Sequence, residues 1–211
     1  MPPRPGKVLD IACGSAPLHP RLTSTDGYLG VDISDGELAM ARQRGREPVT
    51  RADARRLPIR SDSVDTVVSS MGLMLIMPLA EALHEIARVL RPGGAVAALV
   101  PARWPVRPRD VRPLFALAVS LHGLGILPQH LTARLATKQL RQAGLEVTDT
   151  QQRRFAFPIR SADDAAMAVH ALYTLGYPAH RIEAAVDKPT RMAGSTELPL
   201  PLLRIVARSS G

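Results

Sequence analysis

Cysteine is almost missing from this chain. Cys13 stands alone, which excludes a disulfide framework and a cysteine-ligated zinc site and is compatible with a reducing cytoplasm. Lysine is scarce as well. Lys7, Lys138 and Lys188 are the only lysines among 27 basic side chains, so nearly all positive charge is arginine. Aromatic residues make up 3% of the chain, and the arginines lie scattered, without a basic tail or interleaved aromatics. A net charge of +8 and a pI near 10.7 therefore read first as a solvated basic surface and only second as nucleic-acid recognition. The leading residues Met1-Pro2-Pro3-Arg4-Pro5-Gly6 hold no apolar signal core. The longest apolar run, Leu114 to Leu127, is broken by Ser120, His122 and two glycines. It is shorter than the roughly 20 residues that a membrane span needs. No membrane span and a cytoplasmic location are expected.

What is present is enough for a globular core. At 211 residues and 45% apolar content, one domain over 1–211 is expected. Val8 to Ile11 is a mostly apolar run with β-branched ends and reads as a strand buried on both faces. Small residues follow, Ala12-Cys13-Gly14-Ser15-Ala16, and Pro17 opens a helix reaching Leu22. Such a strand-turn-helix brings backbone close to a ligand at the carboxyl edge of a parallel sheet. Gly14 is the only glycine of that turn, so the G-x-G-x-x-G spacing of dinucleotide binders is not met. Tyr28 to Ser34 is a second strand. It carries Asp32 about 20 residues after Asp10, where a ribose-binding carboxylate is expected.

The alternation continues. Ser34 and Glu37 form a capping box for a helix running to about Arg44. Pro48–Arg51 and Val64–Ser69 are the third and fourth strands. Leu79, Leu83, Ile86 and Leu90 share the buried face of a helix beginning near Pro78, with Glu81, His84, Glu85 and Arg88 on a solvated face. Pro92-Gly93-Gly94 is expected to turn the chain into a fifth strand, Ala95–Val100. Residues 101–131 break the alternation with Pro101, Pro105, Pro108 and Pro113 and then an apolar stretch, so an inserted, partly helical cap or lid is expected. Thr132–Ala143 reads as a helix. Leu145–Thr148 reads as a sixth strand that can run on to Phe157. Ala162–Leu175 is a helix capped by Ser161 and Asp164, and Leu200–Ala207 is the last strand. The expected fold class is α/β, a doubly wound parallel sheet of Rossmann-like type.

Five stretches in order, Val8–Pro17, Tyr28–Ser34, Arg51–Pro58, Ser63–Ser70 and Glu85–Gly94, resemble the class I S-adenosylmethionine-dependent methyltransferases, in particular the small-molecule branch known as methyltransferase type 11. The resemblance implies seven strands with the last one antiparallel. It implies S-adenosylmethionine as cofactor, S-adenosylhomocysteine as product, and no metal. By the same resemblance Asp32 takes both ribose hydroxyls and Ile33 packs on the adenine. Asp53 accepts the adenine amino group, and Ala54 offers its N–H to a ring nitrogen. Asp10 orients the cofactor ammonium, directly or through water. Ala12 and Gly14 border the cofactor, and the backbone at Ser69 and Ser70 touches its methionine part. Ala12 and Ala16 stand where the family most often has glycine, and an alanine there resists positive φ. Cys13 has a packing role, because no neighbouring cation activates it. Family members carry a helical segment before the first strand. The short proline-rich lead-in here implies either a truncated start or a site covered from elsewhere.

Methyl transfer from a sulfonium is a direct displacement, so proximity and alignment matter most and a base is optional. The acceptor can be narrowed by exclusion. After the fourth strand stands Ser69-Ser70-Met71-Gly72 rather than the Asn/Asp-Pro-Pro-Tyr type motif of base-amino methylation. No cysteine outside the first turn could attack cytosine, arsenic methylation calls for several cysteines, and no Asp/Asn cluster suggests magnesium. A small molecule methylated at O, N or C remains, in secondary metabolism by expectation. His122 and His130 are the candidate bases. Met71, Arg103 and Trp104 are candidate substrate contacts, through apolar walling, anion pairing and stacking. Two alternatives stay open, an RNA methyltransferase using the basic surface and a cofactor-binding subunit without turnover. A homodimer stays open too.

Overall fold

A computed structural model describes residues 6–22, 26–102, 104–121, 133–170, 178–191, 194 and 196–210. The chain groups into two compact units. The first comprises 1–100, 131–151 and 203–211, and the second 101–130 and 152–202. One sheet of seven strands runs through the fold in the order β3-β2-β1-β4-β5-β7-β6. The strands β1 (Lys7–Ile11), β2 (Gly27–Asp32), β3 (Val49–Arg51), β4 (Val64–Ser70) and β5 (Leu90–Pro101) are parallel. The strands β6 (Leu145–Ile159) and β7 (Thr196–Ser209) add an antiparallel edge. This is the expected mixed sheet with its reversed last strand.

In the first unit β1 is central. Val8, Leu9 and Ile11 are buried because β2 and β4 flank the strand on both edges and helices cover its faces. Helix α1 (His19–Leu22) is a single turn with Pro20 near its start, where the missing N–H costs nothing. Helix α2 (Asp35–Gln43) is capped as expected, the Ser34 hydroxyl accepting the Glu37 N–H at 3.3 Å. It buries Leu38 and Ala41 against Cys13, Ala16, Tyr28 and Val49. Helix α3 (Leu79–Val89) buries Leu79, Ala82, Leu83, Ile86 and Val89, and Leu90 is already the first residue of β5.

Two expectations for this region are corrected. Glu85 and Arg88 are not on a solvated face. Glu85 accepts the Leu57 N–H at 2.7 Å, and Arg88 donates to the carbonyls of Ile59 at 2.8 Å and Leu57 at 3.1 Å. Together the pair clamps the loop after β3, since its backbone groups would otherwise lack partners. Nor does Pro92-Gly93-Gly94 precede the fifth strand. Leu90 already pairs with Val64, and Ala95 pairs with Thr66, so residues 91–94 bulge out of the ladder within β5. Helix α5 (Ala133–Gln142) buries Ala136 and Leu140.

The second unit contains α4 (Val111–Leu121), α6 (Ala162–His170) and α7 (Ala179–Thr190). Its core gathers Ile159, Ala165, Ala168, Val169, Ala185 and Leu198. Residues 171–177, the expected continuation of α6, lie outside the described residues, and α7 had no counterpart among the expected elements. A charged hub stands beside this core. Arg154 donates to both carboxylate oxygens of Asp110 at 2.7 and 2.5 Å and to Glu197 at 2.6 Å, while Arg109 reaches Glu197 at 2.7 Å. Asp110 is 1% exposed, and the guanidinium beside it holds its carboxyl below the usual range. Arg154→Ala leaves that carboxylate buried without its counter-charge. It should cost about 3 kcal/mol, read as a lower urea midpoint.

Candidate functional site

The turn after β1 is built from three left-handed residues. Ala12, Gly14 and Ala16 have φ of 51°, 53° and 51°. The alanines thus adopt the conformation they were expected to resist, at a cost of about 1 kcal/mol each. Contacts hold them there. Ala16 is fully buried, and Ala12 lies against Gly72, where an added Cβ would stand 2.5 Å from the Ala12 methyl. Only glycine fits at 72. The turn points one N–H at Asp32, whose carboxylate accepts it from Gly14 at 2.7 Å through one oxygen and accepts the Ser34 N–H at 2.9 Å through the other. Each oxygen keeps a further lone pair. The Asp32 carboxylate is therefore fixed in orientation and still able to accept.

Asp10 sits one strand over and is 1% exposed. The Tyr28 hydroxyl donates to it at 2.9 Å. Burial, partly opposed by that hydrogen bond and reinforced by Asp32, pushes its pKa up to about 7. The reach of Tyr28 depends on Gly30, whose added Cβ would stand 2.9 Å from the Tyr28 hydroxyl, from Cys13 Sγ and from a Val49 methyl. Burial and the neighbouring carboxylates push the Cys13 thiol up to about 12, which fits a packing role and no nucleophilic one.

Ser69 and Ser70 end β4 beside β1. The Ser69 hydroxyl is buried without a hydrogen-bond partner and lies 3.0 Å from where a Gly72 Cβ would be. An orphaned donor in a native fold calls for a partner from outside the chain or a water. Met71 has φ 63° and donates its N–H to Leu99 at 2.7 Å. Ile33 is 60% exposed beside Asp32, and the Ala52 N–H donates to the Asp32 carbonyl at 3.0 Å, which brings the next loop alongside.

Asp53, to which the resemblance gave the adenine amino group, is paired with Arg55. The Arg55 guanidinium grips its carboxylate from Nε and NH2 at 3.0 and 2.6 Å, the Arg55 N–H adds 2.9 Å, and NH1 also reaches the Met77 carbonyl at 2.8 Å. This fork lowers the Asp53 pKa and fills most of its acceptor capacity. Ala54 is 9% exposed.

The structure thus gathers Asp10, Ala12, Gly14, Asp32, Ile33, Ser69 and Met71 at the carboxyl ends of β1, β2 and β4. Trp104 belongs to the second unit and is 63% exposed. Arg103, His122 and His130 lie outside the described residues. Tyr28, Gly30, Arg55 and Gly72 went unnoticed in the sequence. A tyrosine two residues before a glycine, on a strand beside a buried aspartate, was the signal for the first two. No group of three or more metal-ligating side chains occurs among the described residues.

Residues 9–98 match the family described as methyltransferase domain. That stretch, under half of the chain, is similar to the methyltransferases. The demethylmenaquinone methyltransferase of Mycobacterium sp. strain JLS is 41% identical over 89 residues, which are 42% of this chain and 38% of that protein. The match thus spans well under half of that relative. Among solved structures the cyclase SpnF superposes with a TM-score of 0.64 at 23% identity, covering 97% of this chain and 74% of that one. An S-adenosylmethionine-dependent methyltransferase from Mesorhizobium loti superposes with a TM-score of 0.59 at 18% identity, covering 98% and 93%. At such identities the methyltransferase fold is shared, and one of its holders is a cyclase.

Two variants test this geometry. Gly30→Ala should destabilise the fold by about 1 to 3 kcal/mol in chemical denaturation, because the Cys13 thiol, the Tyr28 hydroxyl and a Val49 methyl must all shift to admit the methyl. For Asp10 the sign follows from proton binding. The unfolded chain releases its proton near pH 4, whereas the folded protein holds it to about 7. The stability contributed by Asp10 is full below pH 4 and lost as pH rises through 7. Asp10→Asn, which keeps an acceptor for Tyr28, should therefore gain stability over the parent steadily between pH 4 and 7. Parallel pH profiles of the two proteins would contradict the assignment.

Proposed function

We propose that this protein binds S-adenosylmethionine at the carboxyl ends of β1, β2 and β4 and transfers its methyl group to an O, N or C atom of a small molecule. The observation that carries the reading is Asp32. Its carboxylate is oriented by two backbone N–H groups and retains acceptor capacity on both oxygens, as a ribose diol requires. The orphaned Ser69 hydroxyl and the tight Gly72–Ala12 approach fit a ligand's polar tail running past the first turn. When bound, the cofactor supplies a methyl already activated by its positive sulfur. The residues of the chain then position, exclude water and hold charge. Asp10, Ala12, Gly14, Ser69 and Ser70 border the amino-acid end, Ile33 offers an apolar face to the adenine, and Ala54 offers an N–H to its ring. Asp53 serves the adenine amino group only after Arg55 gives up part of its grip. Met71 walls the acceptor side.

The name of the mycobacterial relative supports a quinone-like ring as acceptor. A second reading, a cofactor-binding subunit without turnover, draws support from the Arg55 grip on Asp53. A methyl-release assay with quinol and phenol acceptors separates the two, since only the enzyme forms S-adenosylhomocysteine. For the site itself, Asp32→Asn should weaken S-adenosylhomocysteine at least ten-fold in titration calorimetry with the circular dichroism unchanged. Unchanged affinity would remove the assignment.

A further inference from the structure

The two most exposed large apolar side chains among the described residues are aromatic, in a chain that has few. Phe115 is 68% exposed and Trp104 is 63% exposed. Phe115 lies on α4 between Val111, 60% exposed, and Val119, 46% exposed. The spacing of four places all three on one stripe of the helix. Helix α4 packs against α7 within the second unit, so the stripe is a face that this packing leaves in water. Cations border it. Arg107 and Arg112 are exposed, and Arg109 keeps a side chain 61% exposed while bonding Glu197. The acids nearby are spoken for, Asp110 by Arg154 and Glu197 by Arg109 and Arg154.

We propose that the exposed stripe of α4, with Trp104 and the arginines that flank it in sequence, docks the protein on an anionic lipid surface. Charge complementarity selects this occupant. A second copy or a protein partner would have to cover the stripe and also pair the guanidinium groups one by one. An anionic bilayer does both at once, the acyl boundary receiving Val111, Phe115 and Val119 and the phosphates receiving the arginines. Tryptophan favours the headgroup level, where its apolar ring and its N–H are both satisfied. The contact lies on the surface, since no helix among the described residues is long and apolar enough to cross a membrane. This reading reassigns Trp104 from stacking on an acceptor to anchoring on lipid. It stands apart from the methyl-transfer proposal.

Trp104 is the only tryptophan of the chain, so its emission reports the contact directly. The full chain is mixed with vesicles of phosphatidylcholine alone or with about one third phosphatidylglycerol. A blue shift and co-sedimentation with the anionic vesicles are expected, and both should fall as salt is raised. Arg107→Ala with Arg112→Ala should weaken this binding about 25-fold, roughly five-fold per arginine, and remove the preference for phosphatidylglycerol. Phe115→Asp should weaken binding to both vesicle types by at least ten-fold. Phe115→Ser, the milder change, should act in the same direction, and circular dichroism verifies the fold of each variant. Absence of a shift and of co-sedimentation would overturn the proposal, as would full binding by folded Phe115 variants. A blue shift that grows with protein concentration, without vesicle binding, would overturn it too by assigning the face to a second copy.

Discussion

The Asp32 carboxylate is the constraint on which the first unit depends. Two backbone N–H groups converge on it, one from the turn after β1 and one from the start of α2. Without that acceptor both half-buried donors would be left to water at the edge of the sheet. The same charge sets the shape of the first turn, because Gly14 must present its N–H inward and therefore takes the left-handed conformation. The side chain proposed to take a ligand diol is thus also a piece of the fold's fastening, and the chain's own hydrogen bonds set its geometry.

On the neighbouring strand and turn lies a buried polar cluster. Asp10, Tyr28 and Cys13 share one small volume, and burial raises all three pKa values. The arrangement is possible only because residue 30 lacks a side chain. Taking a carboxylate this far from water is expensive. The Tyr28 hydrogen bond returns part of that cost, and proton uptake by Asp10 as pH falls through about 7 removes the rest of the charge.

Much of this was legible in the residues. The parallel strands and the helices between them follow from apolar runs alternating with capped, amphipathic stretches, whereas their order in the sheet is a tertiary fact. Ser34, Asp32 and the small-residue turn announced themselves by type and spacing. What stayed hidden was long-range in every case. Glu85 and Arg88 looked solvated because helical periodicity knows nothing of the 57–61 loop that they clamp. The bulge at 91–94 looked like a turn before the strand because Pro-Gly-Gly signals only a break, whereas the pairing of Leu90 with Val64 is a tertiary fact. Helix α7 escaped because its proline and scattered charges blur its apolar face, which is defined only by Ile182, Ala185 and Val186 meeting the core of the second unit. The positive φ at Ala12 and Ala16 ran against local preference, and tertiary contacts overrode it.

The grip of Arg55 on Asp53 has a consequence for anything that binds there. A ligand donor can take the carboxylate only in molecules whose fork has opened, so the observed affinity is the intrinsic one diluted by the open fraction. Because the pair stands in water, dissolved ions compete with it and enlarge that fraction. Saltier solution would then favour occupancy by an uncharged amino donor at this position, the reverse of the trend for a ligand held by charge alone.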